Sequence, residues 1–249
     1  MRALLQRLGN RNAGAMLDAG CGSGEVARSV VEAVAGVARL VMVDIDAVSL
    51  DEARDQFSGV AARIALEYHT ADVRRLPFAD GSFDTVLLCD VLHHSGDPSG
   101  AVAECARVLK PEGLLLFSEM VSDGLFAAES VGRDLHHFKS AIDRLHGVPH
   151  DNTLSRSAIE EALAAAPLET VWWQLERFTP ADPADAAGRE RIDERREFVE
   201  SYLQYAERLP HYAALRREAA LLNYRLQRVG FAEAPELRLL ARRCGVRLS

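Results

Sequence analysis

The chain has 249 residues, a net charge of −8 and 48% hydrophobic residues, a globular composition with enough apolar mass for one large domain or a core domain with an insertion. The acidic balance argues against nucleic acid as the main partner, because phosphate binding needs a basic surface. No apolar run approaches the ~20 residues of a membrane-spanning helix, so no membrane partner is expected, and the opening MRALLQRLGNRNAG lacks the apolar stretch and small-residue cleavage site of a secretory leader. Cys21, Cys89, Cys105 and Cys244 show no CxxC spacing, which fits a reduced, cytoplasmic setting without a zinc site.

Taken in chain order, residues 2–9 form a short helix and Ala15-Met16-Leu17 a first strand. LDAGCGSGEVA then places glycines at 20, 22 and 24 before a helical stretch from Glu25 to Val34. Glycines suit a strand–turn–helix junction because they accept positive φ and let a ligand approach the backbone. Arg39–Asp44 is a continuous apolar run ending in an acid, as in strands buried on both faces of a parallel sheet. A helix over 47–57 and a strand over 64–69 follow. The Pro and Gly of residues 76–82 mark a loop.

Phe83–Asp90 is another buried strand ending in an acid. A helix from Pro98 to Leu109 is closed by Lys110-Pro111-Glu112-Gly113, and 114–119 form the fifth strand. Strand–helix alternation predicts a parallel, doubly wound sheet whose ligands bind beyond the carboxyl ends of the strands. Asp18, Asp44, Asp72, Asp90 and Glu119 all fall at such ends.

The second half is less regular. Apolar positions 131, 135, 138, 142 and 145 make a helical stripe stopped by Gly147-Val148-Pro149. Ser157-Ala158-Ile159-Glu160 reads as a capping box opening a helix to about 166. Residues 170–175 read as a strand, in which Trp172 and Trp173 should divide between core and outside. A Pro/Ala/Asp linker over 180–188 precedes two charged amphipathic helices, 190–209 and 212–229. Tyr212, Leu215, Ala219, Leu222, Leu226 and Val229 form one seam, suited to packing on the body or on a partner such as a second copy through 190–229. A last strand lies at 237–241. The expected organisation is one domain over 1–249, with a cofactor-binding core at 1–120, a helical cover at 121–153 and a helical hairpin inserted at 180–230.

The glycine turn alone is a weak signal, and its context strengthens it. Asp44 lies twenty residues beyond Gly24, where a carboxylate can accept both hydroxyls of a ribose. Asp72 is placed to hydrogen-bond an adenine amino group. Asp46 lies past the strand and reads as a helix N-cap instead.

Here the sequence resembles the class I S-adenosylmethionine (SAM)-dependent methyltransferases. LDAGCGSG is similar to the family's first motif, VMVDID to the second, TADVRRLPFADGSFDTVLLCDVLHH to the third and fourth, and ARVLKPEGLLLFSE to the helix and fifth strand. The resemblance covers 15–120. It implies a Rossmann-like seven-stranded sheet of order 3-2-1-4-5-7-6 with strand 7 antiparallel, helical insertions after strands 5 and 6, and SAM as cofactor. Asp18, Gly20, Cys21, Gly22 and Gly24 would line its methionine part, Asp44 the ribose, Ile45 the adenine face, Asp72 and Val73 the adenine edge, and Asp90 the amino end.

The LHH after strand four recurs in the family's quinone C-methylating and sugar O-methylating members, so a small-molecule acceptor is implied. His93 or His94 would be a general base, assisted by Glu119; imidazole titrates near neutral pH and can take a hydroxyl proton. Asp90-Val91-Leu92-His93 stands where a (Asp/Asn)-Pro-Pro-(Tyr/Phe) box would mark adenine or glutamine amino methylation. His136, His137, His146 and His150 lack a compact ligand motif and are expected to face a substrate cavity or solvent rather than a metal. Two other readings remain open: a nicotinamide-dependent oxidoreductase, disfavoured by the GxGxG spacing and the LHH run, and a SAM-binding interaction module whose hairpin pairs subunits.

Overall fold

The computed structural model describes residues 2–8, 11–59 and 64–245. The first helix, α1, is Arg2–Leu8; position 9, its expected end, lies outside the described residues. There follow β1 (Gly14–Ala19), α2 (Glu25–Ala33), β2 (Val37–Asp44), α3 (Ala47–Phe57), β3 (Ala65–Thr70), β4 (Phe83–Cys89), α4 (Leu92–Ser95), α5 (Pro98–Val108) and β5 (Leu109–Met120). The later part adds α6 (Ala127–Leu145), α7 (Arg156–Ala164), β6 (Leu168–Glu176), α8 (Ala186–Tyr205), α9 (Tyr212–Val229) and β7 (Glu236–Arg243).

The seven strands form one sheet of order β3-β2-β1-β4-β5-β7-β6, with β7 antiparallel. The pairs β1–β2, β1–β4, β2–β3 and β4–β5 are parallel. Met16, Leu17, Leu40 through Val43 and Val86 through Leu88 are fully buried, which is why these strands read as unbroken apolar runs rather than alternations. Trp172 packs against the core cluster of Met16, Leu40, Met42 and Leu116, whereas Trp173 is half exposed.

Three local readings change. Strand and helix do not alternate throughout: residues 71–82, between β3 and β4, run as turns. Their backbone is satisfied from α5. Glu104 Oε1 accepts the Leu76 N–H at 2.7 Å, and the Arg107 guanidinium donates to Phe78 O at 2.8 Å and Leu76 O at 3.2 Å. Side-chain hydrogen bonds thereby replace the ladder that a helix would have supplied. The turn at 110–113 is part of β5 as a bulge: the register passes from Phe83↔Leu109 to Thr85↔Leu114, with Glu112 at φ 65°. Finally, α7 begins at Arg156, so Ser157 lies in its first turn instead of capping it.

The chain divides into two compact units, one of residues 1–119, 157–174 and 237–249, the other of 120–156 and 175–236. The first holds most of the sheet. The second is helical, and its core joins Val131, Leu135, Phe138 and Ile142 of α6 with Ile192, Val199 and Leu203 of α8 and Leu215, Ala219, Leu222 and Leu226 of α9. The helix expected from 190 starts at 186, where Asp185 caps it by accepting the Gly188 N–H. The seam of α9 is therefore consumed inside this unit, and its central residues need no second copy to cover them. No helix among the described residues is long and apolar enough to cross a membrane.

Leu226 is fully buried. Leu226→Ala should lower unfolding free energy by about 2–5 kcal/mol in urea titration while leaving the mass by light scattering unchanged; a drop in mass would place the seam at a subunit interface.

Candidate active site

The glycine turn is stitched to the end of β2. Gly20 N–H and Cys21 N–H donate to Val43 O at 2.8 and 2.9 Å. Gly22 N–H donates to Asp44 Oδ2 at 2.8 Å, and Asp46 N–H to Asp44 Oδ1 at 2.9 Å. Gly20, Gly22 and Gly24 all have positive φ, at 78°, 50° and 82°. Gly20 is doubly constrained, because a Cβ there would stand 2.5 Å from Val91 Cγ2. Asp46 caps α3, accepting from Val48 N–H and Ser49 N–H, as its position past the strand implied. Asp44 keeps acceptor capacity: a carboxylate offers about four lone-pair sites, and two backbone donors use only part of it.

Two further carboxyls border this turn from the ends of the neighbouring strands β1 and β4. Asp18 is buried, and its Oδ2 has no hydrogen-bond partner among the described residues. Burial, then the charge of Asp44, pushes its pKa up to about 7. Asp90 has φ 55°, a conformation that asparagine and aspartate tolerate better than other L-residues. Its N–H donates to Ser118 O at 2.8 Å, and its Oδ1 is likewise buried without a partner among the described residues. Burial, then Glu119, raises its pKa to about 7. Buried acceptors left open in this way are costly unless a donor arrives.

Along the rim, Ile45 is 67% exposed beside Asp44, Val73 is buried, and Cys21 is a buried free thiol in the turn. Arg74 engages Asp72, a pairing that residue spacing does not reveal. Its guanidinium lies 2.6 Å from Asp72 Oδ2, its N–H 2.8 Å from Oδ1, and the pair holds Asp72 below the usual carboxylate range.

The two histidines after β4 part company. His93 is 1% exposed and its Nδ1 lies 2.6 Å from Oε1 of Glu119, itself fully buried. Glu119 Oε2 accepts the Leu92 N–H at 2.8 Å. The carboxylate thus anchors both the turn into α4 and the imidazole, which assigns the Nδ1–H tautomer to His93 and turns the basic character to Nε2. His94 is exposed, its ring 4.3 Å from that of His93 between centroids.

In the second unit, His137 Nε2 lies 2.8 Å from Thr153 Oγ1 and His146 stacks on Tyr205 at 3.8 Å. His136 and His150 meet through their Nε2 atoms at 3.0 Å, and His150, expected to face a cavity or solvent, is 3% exposed.

This sheet order with a glycine turn after β1 defines a Rossmann-like α/β protein of the methyltransferase type. Residues 17–117 match the methyltransferase domain family. The chain is 34% identical over 193 residues to malonyl-(acyl-carrier protein) O-methyltransferase of Pseudescherichia vulneris, covering 75% of this chain and 66% of that protein. It is 34% identical over 113 residues to the ubiquinone/menaquinone biosynthesis C-methyltransferase of Saccharophagus degradans, covering 45% of each. The crystal structure of a Bacillus halodurans protein described as a methyltransferase shares the fold over 98% of both chains, at 19% identity and a TM-score of 0.64. The chain belongs to the class I SAM-dependent methyltransferases. It spans between about a third and two thirds of the length of the curated relatives it matches.

Gly20→Ala should cost about 2–4 kcal/mol, from φ strain plus the Val91 clash. Gly22→Ala, where a Cβ would meet nothing within 4 Å, should cost only the ~1–2 kcal/mol of φ strain. Paired urea titrations measure the difference.

The pH dependence of the ligand-free chain follows from the raised carboxyls. Asp18 and Asp90 go from an ordinary 3.8 to about 7 on folding, so between those values the folded state holds more protons than the unfolded. Stability falls as pH rises through that window, by on the order of 4 kcal/mol per group at full ionisation. Glu67, Asp72 and Glu104 are held low by Arg39, Arg74 and Arg107, so the stability they add disappears only on acidification below about pH 4. Thermal melts should peak near about pH 5 and decline toward pH 8, and Asp18→Asn should flatten the decline. A melting temperature that rises from pH 5 to 8 refutes the assignment.

Proposed function

We propose that this protein transfers a methyl group from SAM to a small-molecule acceptor, by O- or C-methylation. The observation that carries this reading is the pair of open, buried carboxylate oxygens on Asp18 and Asp90 flanking the glycine turn. They fit a ligand that brings a cationic ammonium to strand ends where no described residue donates to these two oxygens. Asp44, with acceptor capacity left beyond Gly22 and Asp46, would take the ribose hydroxyls. Ile45 would pack on the adenine, with Val73 and the Arg74-tethered Asp72 at its edge. Gly20, Cys21, Gly22 and Gly24 would let the methionine part lie against backbone.

When bound, SAM supplies a sulfonium-activated methyl group. The protein's own task is to align a nucleophile and exclude water, which is worth several kcal/mol without any proton transfer. Where the acceptor is a hydroxyl or a carbon acid, His93 Nε2 takes the departing proton and Glu119 stabilises the resulting imidazolium through the 2.6 Å contact at Nδ1. Glu119 is the positioning residue, tied in turn to Leu92 N–H. A base of this kind contributes about 10²–10⁴-fold. His94 packs its ring against that of His93 and has no part in the proton transfer. The relatives' names, a malonyl-(acyl-carrier protein) O-methyltransferase and a ubiquinone/menaquinone biosynthesis C-methyltransferase, bracket the acceptors to try first. The segments 121–153 and 180–230 lie beyond the span matched by the family, and their sequence is where acceptor preference would be encoded. Four free cysteines suit a reducing, cytoplasmic setting.

Calorimetric titration should show SAM binding and no NADH binding, with affinity for SAM rising from pH 6 to 8 as Asp18 and Asp90 ionise. Release of S-adenosylhomocysteine should follow with a malonyl thioester, a quinol or a related acidic acceptor. On the productive acceptor, His93→Ala should cut turnover by about 10²–10⁴-fold with SAM affinity changed less than a few-fold, and His94→Ala far less. Full turnover in His93→Ala would remove the base from the reading, and NADH binding in place of SAM would remove the reading itself.

A further inference from the structure

The second unit carries a cluster for which methyl transfer has no use. His136 lies within α6, and His150 follows the Gly147-Val148-Pro149 break. Backbone bonds from Gly147 N–H to Arg144 O at 3.0 Å and Val148 N–H to Asp143 O at 2.9 Å fold the chain back over the helix end. The fold-back brings His150 beside Asp143 and His136. His150 Nδ1 lies 2.7 Å from Asp143 Oδ2, and the same oxygen accepts from Lys139 Nζ at 2.6 Å. With Lys139 Nζ donating to the same carboxylate oxygen, Asp143 takes the Nδ1–H of His150, which turns the His150 Nε2 lone pair toward His136 Nε2, 3.0 Å away.

A carboxylate that fixes one imidazole nitrogen so that the other presents its lone pair is the arrangement that surrounds histidine-bound metal ions. Two imidazole nitrogens converging on one point add the second half. We infer that His136 Nε2 and His150 Nε2 bind one divalent transition-metal cation, zinc by preference, with Asp143 positioning His150. The distances allow it. A tetrahedral zinc with Zn–N of ~2.0–2.1 Å needs its two nitrogens ~3.3–3.4 Å apart, so the pair opens by only a few tenths of an ångström, and the half-exposed His136 is the side that moves. Imidazole donors select zinc, copper or nickel over magnesium or calcium, which want oxygen. Two imidazoles leave the other positions of a four-coordinate ion to water or an incoming donor. His137 is not a ligand, being turned to Thr153. The site is tested without SAM, by metal binding alone.

The untagged full chain, stripped with chelator, is titrated with zinc chloride alone by calorimetry, and with cobalt chloride by visible absorption. The expected result is one tight equivalent and tetrahedral cobalt bands, with zinc raising the melting temperature. His136→Ala, at a half-exposed position, should lose that equivalent while folding normally. Asp143→Asn should bind about 10–100-fold more weakly. Surface binding at Cys244 or other histidines is common to every variant and cancels in the comparison. Should His150→Ala fail to fold, the His136→Ala and Asp143→Asn pair still decides. Zinc affinity in the wild-type chain no greater than in His136→Ala, or unchanged by Asp143→Asn, overturns the site and leaves the two histidines as a plain hydrogen-bonded pair.

Discussion

The hydrogen bonds that tie the glycine turn to the end of β2 set everything around them. Val43 O receives two successive N–H groups, from Gly20 and Cys21, and the Asp44 carboxylate receives a third from Gly22. A chain held so close to a neighbouring strand has no room for side chains on its inner bend, which is why the Gly20 Cβ position is already filled by Val91. The same bonds aim the first turn of α2 and hold Asp44 at the rim. Loosening the turn would release the helix start, the acidic rim and the packing of Val91 together.

The second organising constraint is electrostatic and unfavourable in the ligand-free chain. Asp18 is buried and Asp90 half-buried, each with one buried oxygen that no described residue satisfies, and both bind protons up to about pH 7. Such groups subtract from stability near neutral pH, a cost natural proteins carry chiefly at functional sites. Glu119 shows the opposite treatment. It is as deeply buried, yet both its oxygens are used, one by a backbone N–H and one by His93. Two carboxyls with an open oxygen each and one with both oxygens engaged thus stand at neighbouring strand ends.

Much of this was legible in the order of residue types. Apolar runs ending in acids marked β1, β2 and β4, since strands buried on both faces cannot alternate, and Asp46 was recognisable as a cap from its place after the strand. What escaped was contact between residues far apart in sequence. Nothing in the spacing of Glu104 and Arg107 says that they hold the backbone of 76–78, or that Arg74 reaches back to Asp72. The α9 seam was visible as a stripe, but a stripe names no partner; the fold shows that it meets α6 and α8. His136 and His150, fourteen residues apart, have no ligand-like spacing, and only the fold-back after Gly147 joins them.

The sequence by itself determined the sheet, the glycine turn and the acids at its rim, because local sterics and burial on both faces dictate residue type position by position. Tertiary structure alone decided what each charged or titratable side chain faces. It chose His93 over His94 as the buried partner of Glu119, although the two are adjacent and identical in kind, since only one of two consecutive side chains can turn inward from the short helix that carries them. It left Asp18 and Asp90 open while closing Glu119, and it paired His150 with Asp143. Those outcomes depend on the three-dimensional neighbourhood of each group, which sets its desolvation and its hydrogen bonds, and no linear spacing encodes them.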